Sequence, residues 1–173
     1  MNILYKKSTP VALALGSNVG DGAKTFDQAC MLLQDHGVTI TGRAGIITTK
    51  PVDCPAGTPD FSNSALTGTF DGTPEDLLAV TQKIEQQLGR PANHAYHDSR
   101  TLDIDIILFG NTICQTPRLT LPHPRAQERL FVLEPLNEIA SDWIFPDSKR
   151  SVSEVYLSLK NSGYSASQLP SAR

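Results

Sequence analysis

The sequence lacks any long apolar run. No stretch approaches the roughly 20 apolar residues that a membrane span needs, and residues 11–15 are too few for the apolar core of a signal peptide. Cysteine is scarce. Cys30, Cys54 and Cys114 are odd in number, widely spaced and without a Cys-x-x-Cys pair, which argues against a disulfide framework or a cysteine metal site and fits reduced thiols in a cytoplasm. A Gly-x-x-x-x-Gly-Lys phosphate loop is missing, and Gly16-Ser17-Asn18-Val19-Gly20 does not replace one, so phosphate must be bound by side chains. Charge excess is missing too. A formal net charge of −3 argues against broad binding to nucleic acid or a membrane and leaves a local charged pocket open. Internal repeats and low-complexity segments are likewise absent.

What is present is an ordinary globular composition, 39% hydrophobic and 19% charged over 173 residues, enough for a single domain (1–173) with a substantial core. Residues 11–15 form an apolar run ended by Gly16-Ser17-Asn18, a buried strand entering a turn. Asp21 is placed to cap a helix with Phe26, Ala29, Cys30 and Leu33 at helical spacing and Gly37 as its stop. Residues 38–49, rich in β-branched side chains, read as a second strand, 50–60 as a long Pro/Gly loop, and 61–70 as a third strand. Thr73-Pro74-Glu75-Asp76 opens a second helix, with Leu77, Val80, Ile84 and Leu88 as its buried stripe and Gly89 as its end. A polar loop at 89–99 leads to the clearest strand, 101–109. The order strand, helix, strand, strand, helix, strand is that of a ferredoxin-like α+β fold, an antiparallel sheet with helices on one face. A weak β-segment at 113–121, a region from Glu128 and an amphipathic helix near 152–159 follow, and residues 1–8 and 162–173 read as loose tails.

Chemistry concentrates in Arg100-Thr101-Leu102-Asp103-Ile104-Asp105-Ile106-Ile107-Leu108-Phe109. Strand alternation sends Asp103 and Asp105 to one face, with Ile107 and Phe109 beyond them, and sends Leu102, Ile104, Ile106 and Leu108 to the other. Carboxylates at i and i+2 stand about 7 Å apart at the backbone. They can share hard cations such as Mg²⁺, which takes one or two carboxylates together with phosphate oxygens and water. A bare Asp-x-Asp is more often a solvated strand face, but five of the eight arginines (Arg90, Arg100, Arg118, Arg125, Arg129) surround this one. Arginine grips phosphate through paired N–H donors, and phosphoryl-type transfer asks mainly for positioning and charge stabilisation. From spacing alone Gln82 and Glu85 read as surface residues, His123 between Pro122 and Pro124 as a fixed structural histidine, and Phe61 and Phe131 as core.

Ala14-Leu15-Gly16-Ser17-Asn18, the Arg100-to-Asp105 segment, and the block Leu121-Pro122-His123-Pro124-Arg125-x-x-Glu128-Arg129-x-Phe131-Val132-Leu133-x-Pro135-Leu136-x-Glu138-Ile139-Ala140 together resemble the 6-hydroxymethyl-7,8-dihydropterin pyrophosphokinases over residues 10–158. The resemblance implies an αβα sandwich on the ferredoxin-like βαββαβ core and transfer of pyrophosphate from ATP to the pterin hydroxymethyl group, with release of AMP, in folate biosynthesis. It implies two Mg²⁺ ions on Asp103 and Asp105. Arg90 and Arg100 would act on the phosphates, and Gln82, Glu85, Ile106, Arg118, Thr120, His123 and Arg129 would line the ATP site. Asn63 would bond the pterin edge and Phe61 and Phe131 sandwich the ring, with backbone help from Thr49, Pro51 and Val52. Where members carry further basic residues and a tryptophan, this sequence reads Pro91-Ala92-Asn93-His94-Ala95-Tyr96-His97-Asp98-Ser99, with Tyr96 or His97 in their place; Thr58-Pro59 stands where Gln-Pro is usual. Both loops are expected to close over ATP. The chain is expected to work as a cytoplasmic monomer without nucleic-acid or membrane partners. A palm-type nucleotidyl transferase also places metal-binding acids on this fold but leaves the block at 121–140 unexplained, and a ligand-binding regulatory module of the same fold would need neither the acid pair nor the arginine cluster.

Overall fold

A computed structural model describes residues 8–51, 56–89 and 101–163. Its elements are β1 (Thr9–Ser17), α1 (Gly22–Asp35), β2 (Val38–Arg43), β3 (Ile47–Thr49), β4 (Phe61–Phe70), α2 (Pro74–Gln87), β5 (Asp103–Phe109), β6 (Cys114–Gln115), β7 (Thr120–Leu121), α3 (Leu130–Ala140) and α4 (Val152–Asn161), with a 3₁₀ turn at Ala126–Glu128. The fold is α+β. The main sheet is antiparallel in the order β2-β4-β1-β5, with β3 also on β4, which is the ferredoxin-like arrangement; β6 and β7 form a separate hairpin. Among the described residues no helix is long and apolar enough to cross a membrane.

The first two helices form where local signals ask for them. Asp21 accepts the Lys24 amide at the start of α1, and Gly37 (φ 87°) ends that helix in the left-handed conformation glycine tolerates. Thr73 and Asp76 make a reciprocal capping box on α2 with Pro74 behind it, and Gly89 (φ 101°) closes it. Val11, Leu13 and Leu15 of β1 meet Phe26 and Leu33 of α1 and Leu77 and Ile84 of α2 in one buried cluster. The opposite face of β1 offers Pro10, Ala12, Ala14 and Gly16, and Ala12 and Ala14 join Val132, Leu133 and Leu136 of α3 and Val152 and Val155 of α4 in a second. Helices therefore cover both faces, as the family resemblance implies, and not one face as the element order alone suggests.

Four further differences from the sequence reading have physical causes. Residues 38–49 are two strands, not one. Residues 44–46 stand opposite two residues of β4, and the bend is fixed by Ala44 N–H on Ala65 O (3.0 Å) and Ser64 Oγ on Ala44 O (3.0 Å). In β5, Leu13 pairs with Ile106 but Ala12 pairs with Leu108, so Ile107 is an extra residue. That bulge reverses the alternation beyond it: Leu108 joins the α3 side and Phe109 the α1/α2 side, the opposite of strict period two. On α2 the fully buried positions are Leu77, Thr81, Ile84 and Glu85, with Val80 only half-buried. Finally, residues 130–140 are a helix that the sequence reading did not identify.

Candidate active site

The two aspartates lie on an edge strand. Asp103 pairs with Gly16 and Asp105 with Ala14, so both carboxylates rise from the sheet face that α3 covers further along, and both are half-exposed. The outer edge of β5 is pinned by a side chain. The Ile104 amide donates to Glu85 Oε1 (2.7 Å), and Glu85 is only 6% exposed. Glu85 is thus not a surface residue. Burying a carboxylate is costly unless it is bonded, so this contact fixes the strand's position against α2. Gln82, one turn earlier, is exposed.

The segment after β7 returns to the same strand. The His123 amide donates to Ile107 O (3.1 Å), and His123 Nδ1 accepts the Arg125 amide (3.2 Å), which leaves the neutral ring's proton on Nε2, 4.0 Å from Asp105 Oδ1. Burial, then the positive charge of Arg129, lowers the His123 pKa to about 4; Asp103 opposes this and Arg125 adds to it. Outside β5 lies a cleft of about 290 Å³ that brings Asp105, Ile106, Arg118, Thr120 and His123 together. Four of the residues expected to line an ATP site therefore share one cavity with an acid expected to hold metal. Arg118 is exposed in the β6–β7 turn, with its amide on Thr116 Oγ1 (3.3 Å). Arg129 stands at the start of α3, its guanidinium 5.6 Å from the centroid of the Phe131 ring. Arg90 and Arg100 lie outside the described residues, as do Val52 and the loop at 91–99.

On the inner side of the acids, pairing sets Ile47, Asn63, Gly16 and Asp103 in one lateral row across β3, β4, β1 and β5. Asn63, 6% exposed, donates through Nδ2 to Thr49 Oγ1 (2.8 Å). Phe61 opens β4 opposite Thr49, and Phe131 lies in the first turn of α3; both are half-buried, less than core residues would be. Pro51 is half-buried, and Lys50 Nζ meets Asp60 Oδ2 at 2.8 Å to join the two ends of the 50–60 loop. One contact was not anticipated: Glu138 on α3 accepts the Gly45 amide at 3.1 and 3.2 Å, holding the bend between β2 and β3. The motif contains Glu138, but its spacing says nothing of a partner 93 residues away.

Among the described residues no group of three or more His, Cys, Asp or Glu side chains could hold a metal ion. Two carboxylates on one face still match Mg²⁺, because that ion takes most of its ligands from phosphate and water. What the geometry offers is a line of groups: Asn63 and Gly16 on the inner side, then the acid pair, then an outer cleft beyond the sheet edge.

Comparison with known proteins identifies the family. Residues 12–141 match the family model for 7,8-dihydro-6-hydroxymethylpterin-pyrophosphokinase. The chain is 43% identical over 128 residues to the 2-amino-4-hydroxy-6-hydroxymethyldihydropteridine pyrophosphokinase of Bacillus subtilis, covering 73% of this chain and 75% of that one. It is 36% identical to the Haemophilus influenzae enzyme of the same name, over 79% and 85% of the two chains. It is also 38% identical to an Arabidopsis thaliana folate synthesis bifunctional protein, of which it spans only 26%. Its fold matches the crystal structure of Plasmodium falciparum HPPK-DHPS with pteroate at a TM-score of 0.72 and 13% identity, covering 88% of this chain and 44% of that one. The chain belongs to the 7,8-dihydro-6-hydroxymethylpterin-pyrophosphokinase family.

Proposed function

We propose that this chain is an ATP-dependent pyrophosphokinase of folate synthesis, and that Asp103 and Asp105 form the junction between its two substrates. The observation that carries the reading is their position. They stand between Asn63 and the cleft of Ile106, Arg118, Thr120 and His123, so a triphosphate reaching from the cleft toward Asn63 must pass them. The hydroxymethyl oxygen of 6-hydroxymethyl-7,8-dihydropterin attacks the β-phosphorus of ATP. The bond from that phosphorus to the bridging oxygen breaks, AMP leaves with that oxygen, and the hydroxyl proton passes to solvent.

Each residue then has a physical task. Adenosine occupies the outer cleft. Ile104 turns its amide outward to Glu85, and Ile106, two residues along, shares that orientation and offers polar backbone to a base. Thr120 and Arg118 supply hydroxyl and guanidinium donors at the cleft wall. His123, kept neutral by burial and Arg129, directs Nε2–H toward the acid side and donates a hydrogen bond without adding charge. Arg129, Arg90 and Arg100 lend positive charge to the phosphates, and Gln82 adds a contact at the rim; Glu85 acts by placing β5. Asn63, aligned by Thr49, bonds the pterin edge, while Phe61 and Phe131 take its faces and Pro51 and Val52 its border. Two Mg²⁺ ions, held by Asp103 and Asp105, would supply charge neutralisation between the attacking and leaving oxygens. The chain acts as one catalytic domain, a reading supported by the single sheet that both cores share, and it is read as a cytoplasmic monomer.

Incubation with ATP, Mg²⁺ and the hydroxymethyl dihydropterin tests this directly. The expected nucleotide product is AMP, in amounts equal to the pterin pyrophosphate formed. Release of ADP, or of free pyrophosphate without a modified pterin, overturns the proposal.

A further inference from the structure

Three glycines lie within the strands of the main sheet, and the protein itself explains two of them. A Cβ on Gly42 would stand 2.5 Å from Thr67 Oγ1, and one on Gly68 would stand 2.5 Å from the Thr39 carbonyl oxygen. At Gly68 the obstacle is backbone, and at Gly42 the Thr67 side chain would have to move. Gly16 is different. A Cβ built there meets Asn63 Oδ1 at 3.8 Å and Asp103 Cβ at 3.9 Å, which is ordinary van der Waals contact, and its backbone is not in the left-handed region. Glycine weakens a strand because it gives up more backbone freedom and packs nothing. Among the described residues, neither the backbone nor the neighbours require glycine at this position.

The surroundings point to a ligand. Gly16 is paired on one side with Asn63 and on the other with Asp103, so the missing side chain would rise between their side chains. Neighbouring strands are spaced by about 4.8 Å, which sets the Asn63 and Asp103 backbones about 9–10 Å apart, and their side chains lean in, so that a Cβ on Gly16 would touch Asn63 Oδ1 and Asp103 Cβ alike. A flat bicyclic heterocycle lying over the Gly16 Cα would turn its polar edge toward Asn63 and its reactive arm toward the acids. We infer that Gly16 is a specificity-determining residue: its bare Cα is the floor of the heterocycle slot, and any side chain there takes space that the substrate ring needs. This rests on the reading of Asn63 and Asp103 as the two ends of the slot.

The test is Gly16→Ala, with 6-hydroxymethylpterin as probe in the presence of Mg²⁺ and a non-hydrolysable ATP analogue. The methyl group fits the protein, so the melting temperature is expected to hold or rise slightly and the affinity for the ATP analogue to stay within about twofold. Pterin binding by calorimetry is expected to weaken by about fivefold to a hundredfold, the range that overpacking a filled site costs. Unchanged pterin affinity overturns the inference. Asn63→Ala, measured in parallel, separates the two levels: loss in Asn63→Ala alone leaves the slot standing and removes Gly16 as its floor. If neither variant changes pterin affinity, the slot reading falls with the inference. Should Gly16→Ala fold poorly, glycine-labelled wild-type protein decides by NMR. A shift of the Gly16 Hα resonances on saturation with the pterin supports the floor, and resonances that stay in place overturn it.

Discussion

The two faces of β1 do opposite work. Toward α1 and α2 the strand turns Val11, Leu13 and Leu15, all at most 2% exposed, into a thick apolar layer. Toward α3 it turns Ala12, Ala14 and Gly16, which let that helix approach the sheet at one end and leave the backbone bare at the other. The same division runs through β5, where Ile104 and Ile106 are buried on the first face and Asp103 and Asp105 half-exposed on the second. The first layer is core along its length, and the second is core beneath α3 and α4 but leaves room and polar groups at the end where the acids stand. A site built on the second face can change its chemistry without touching the first.

Substitutions that exchange the roles of the faces would break this division. The largest effect is expected from Leu13→Ala, which deletes a side chain 1% exposed at the centre of the first core. Losses of about 2–5 kcal/mol in unfolding free energy accompany such cavities, while the KM values of the protein that remains folded should stay near wild type. Denaturant unfolding reads the first quantity and initial rates the second. A raised pterin KM in Leu13→Ala would show the faces to be coupled. Next in size is Asp103→Ala. Its side chain is half-exposed, so the melting temperature should hold, while turnover falls by about 10²–10³-fold through loss of charge stabilisation. Wild-type turnover with saturating magnesium would remove Asp103 from the junction.

The first face was also the legible one. Asp21, Thr73, Pro74, Gly37 and Gly89 carry local capping chemistry, and the apolar spacing of α1 names its buried side chains. The second face is legible mainly through the family motif. α3 has no side-chain cap, since Arg129 stands at its start, and it carries Pro135 inside, a residue whose local preference runs against a helix. It forms because Val132, Leu133 and Leu136 bury against the alanines of the sheet, a tertiary effect that spacing alone does not reveal. The bulge at Ile107 has no glycine or proline to announce it. The burial of Glu85 had a signal: it continues the Leu77–Thr81 row at four-residue steps, but charge argued more loudly for the surface.

Phe131 tests whether α3 belongs to the site or to the core. Its ring is half-buried and lies beneath the Arg129 guanidinium. Phe131→Ala is expected to weaken pterin binding by about 1–3 kcal/mol and stability by less, because a ligand-facing ring gives up contacts chiefly in the complex. If calorimetry shows unaltered pterin affinity and a large stability loss, Phe131 is a core residue.

The smallest expected effect joins the two regions. Glu138 reaches from α3 to the Gly45 amide, at the bend where β2 gives way to β3, and β3 ends in Thr49, the hydroxyl that aligns Asn63. Removing the carboxylate leaves an exposed amide that water can satisfy, so Glu138→Ala should cost only about 1 kcal/mol of stability. The bend would still loosen, and pterin KM should rise several-fold with kcat and the ATP KM unchanged, because Asn63 loses its fixed partner and not its own side chain. Glu138→Gln retains a carbonyl acceptor and should restore most of the affinity. Equal pterin KM in Glu138→Ala and wild type would show that Thr49 and Asn63 hold their geometry without α3, and that the helix serves the slot through Phe131 alone.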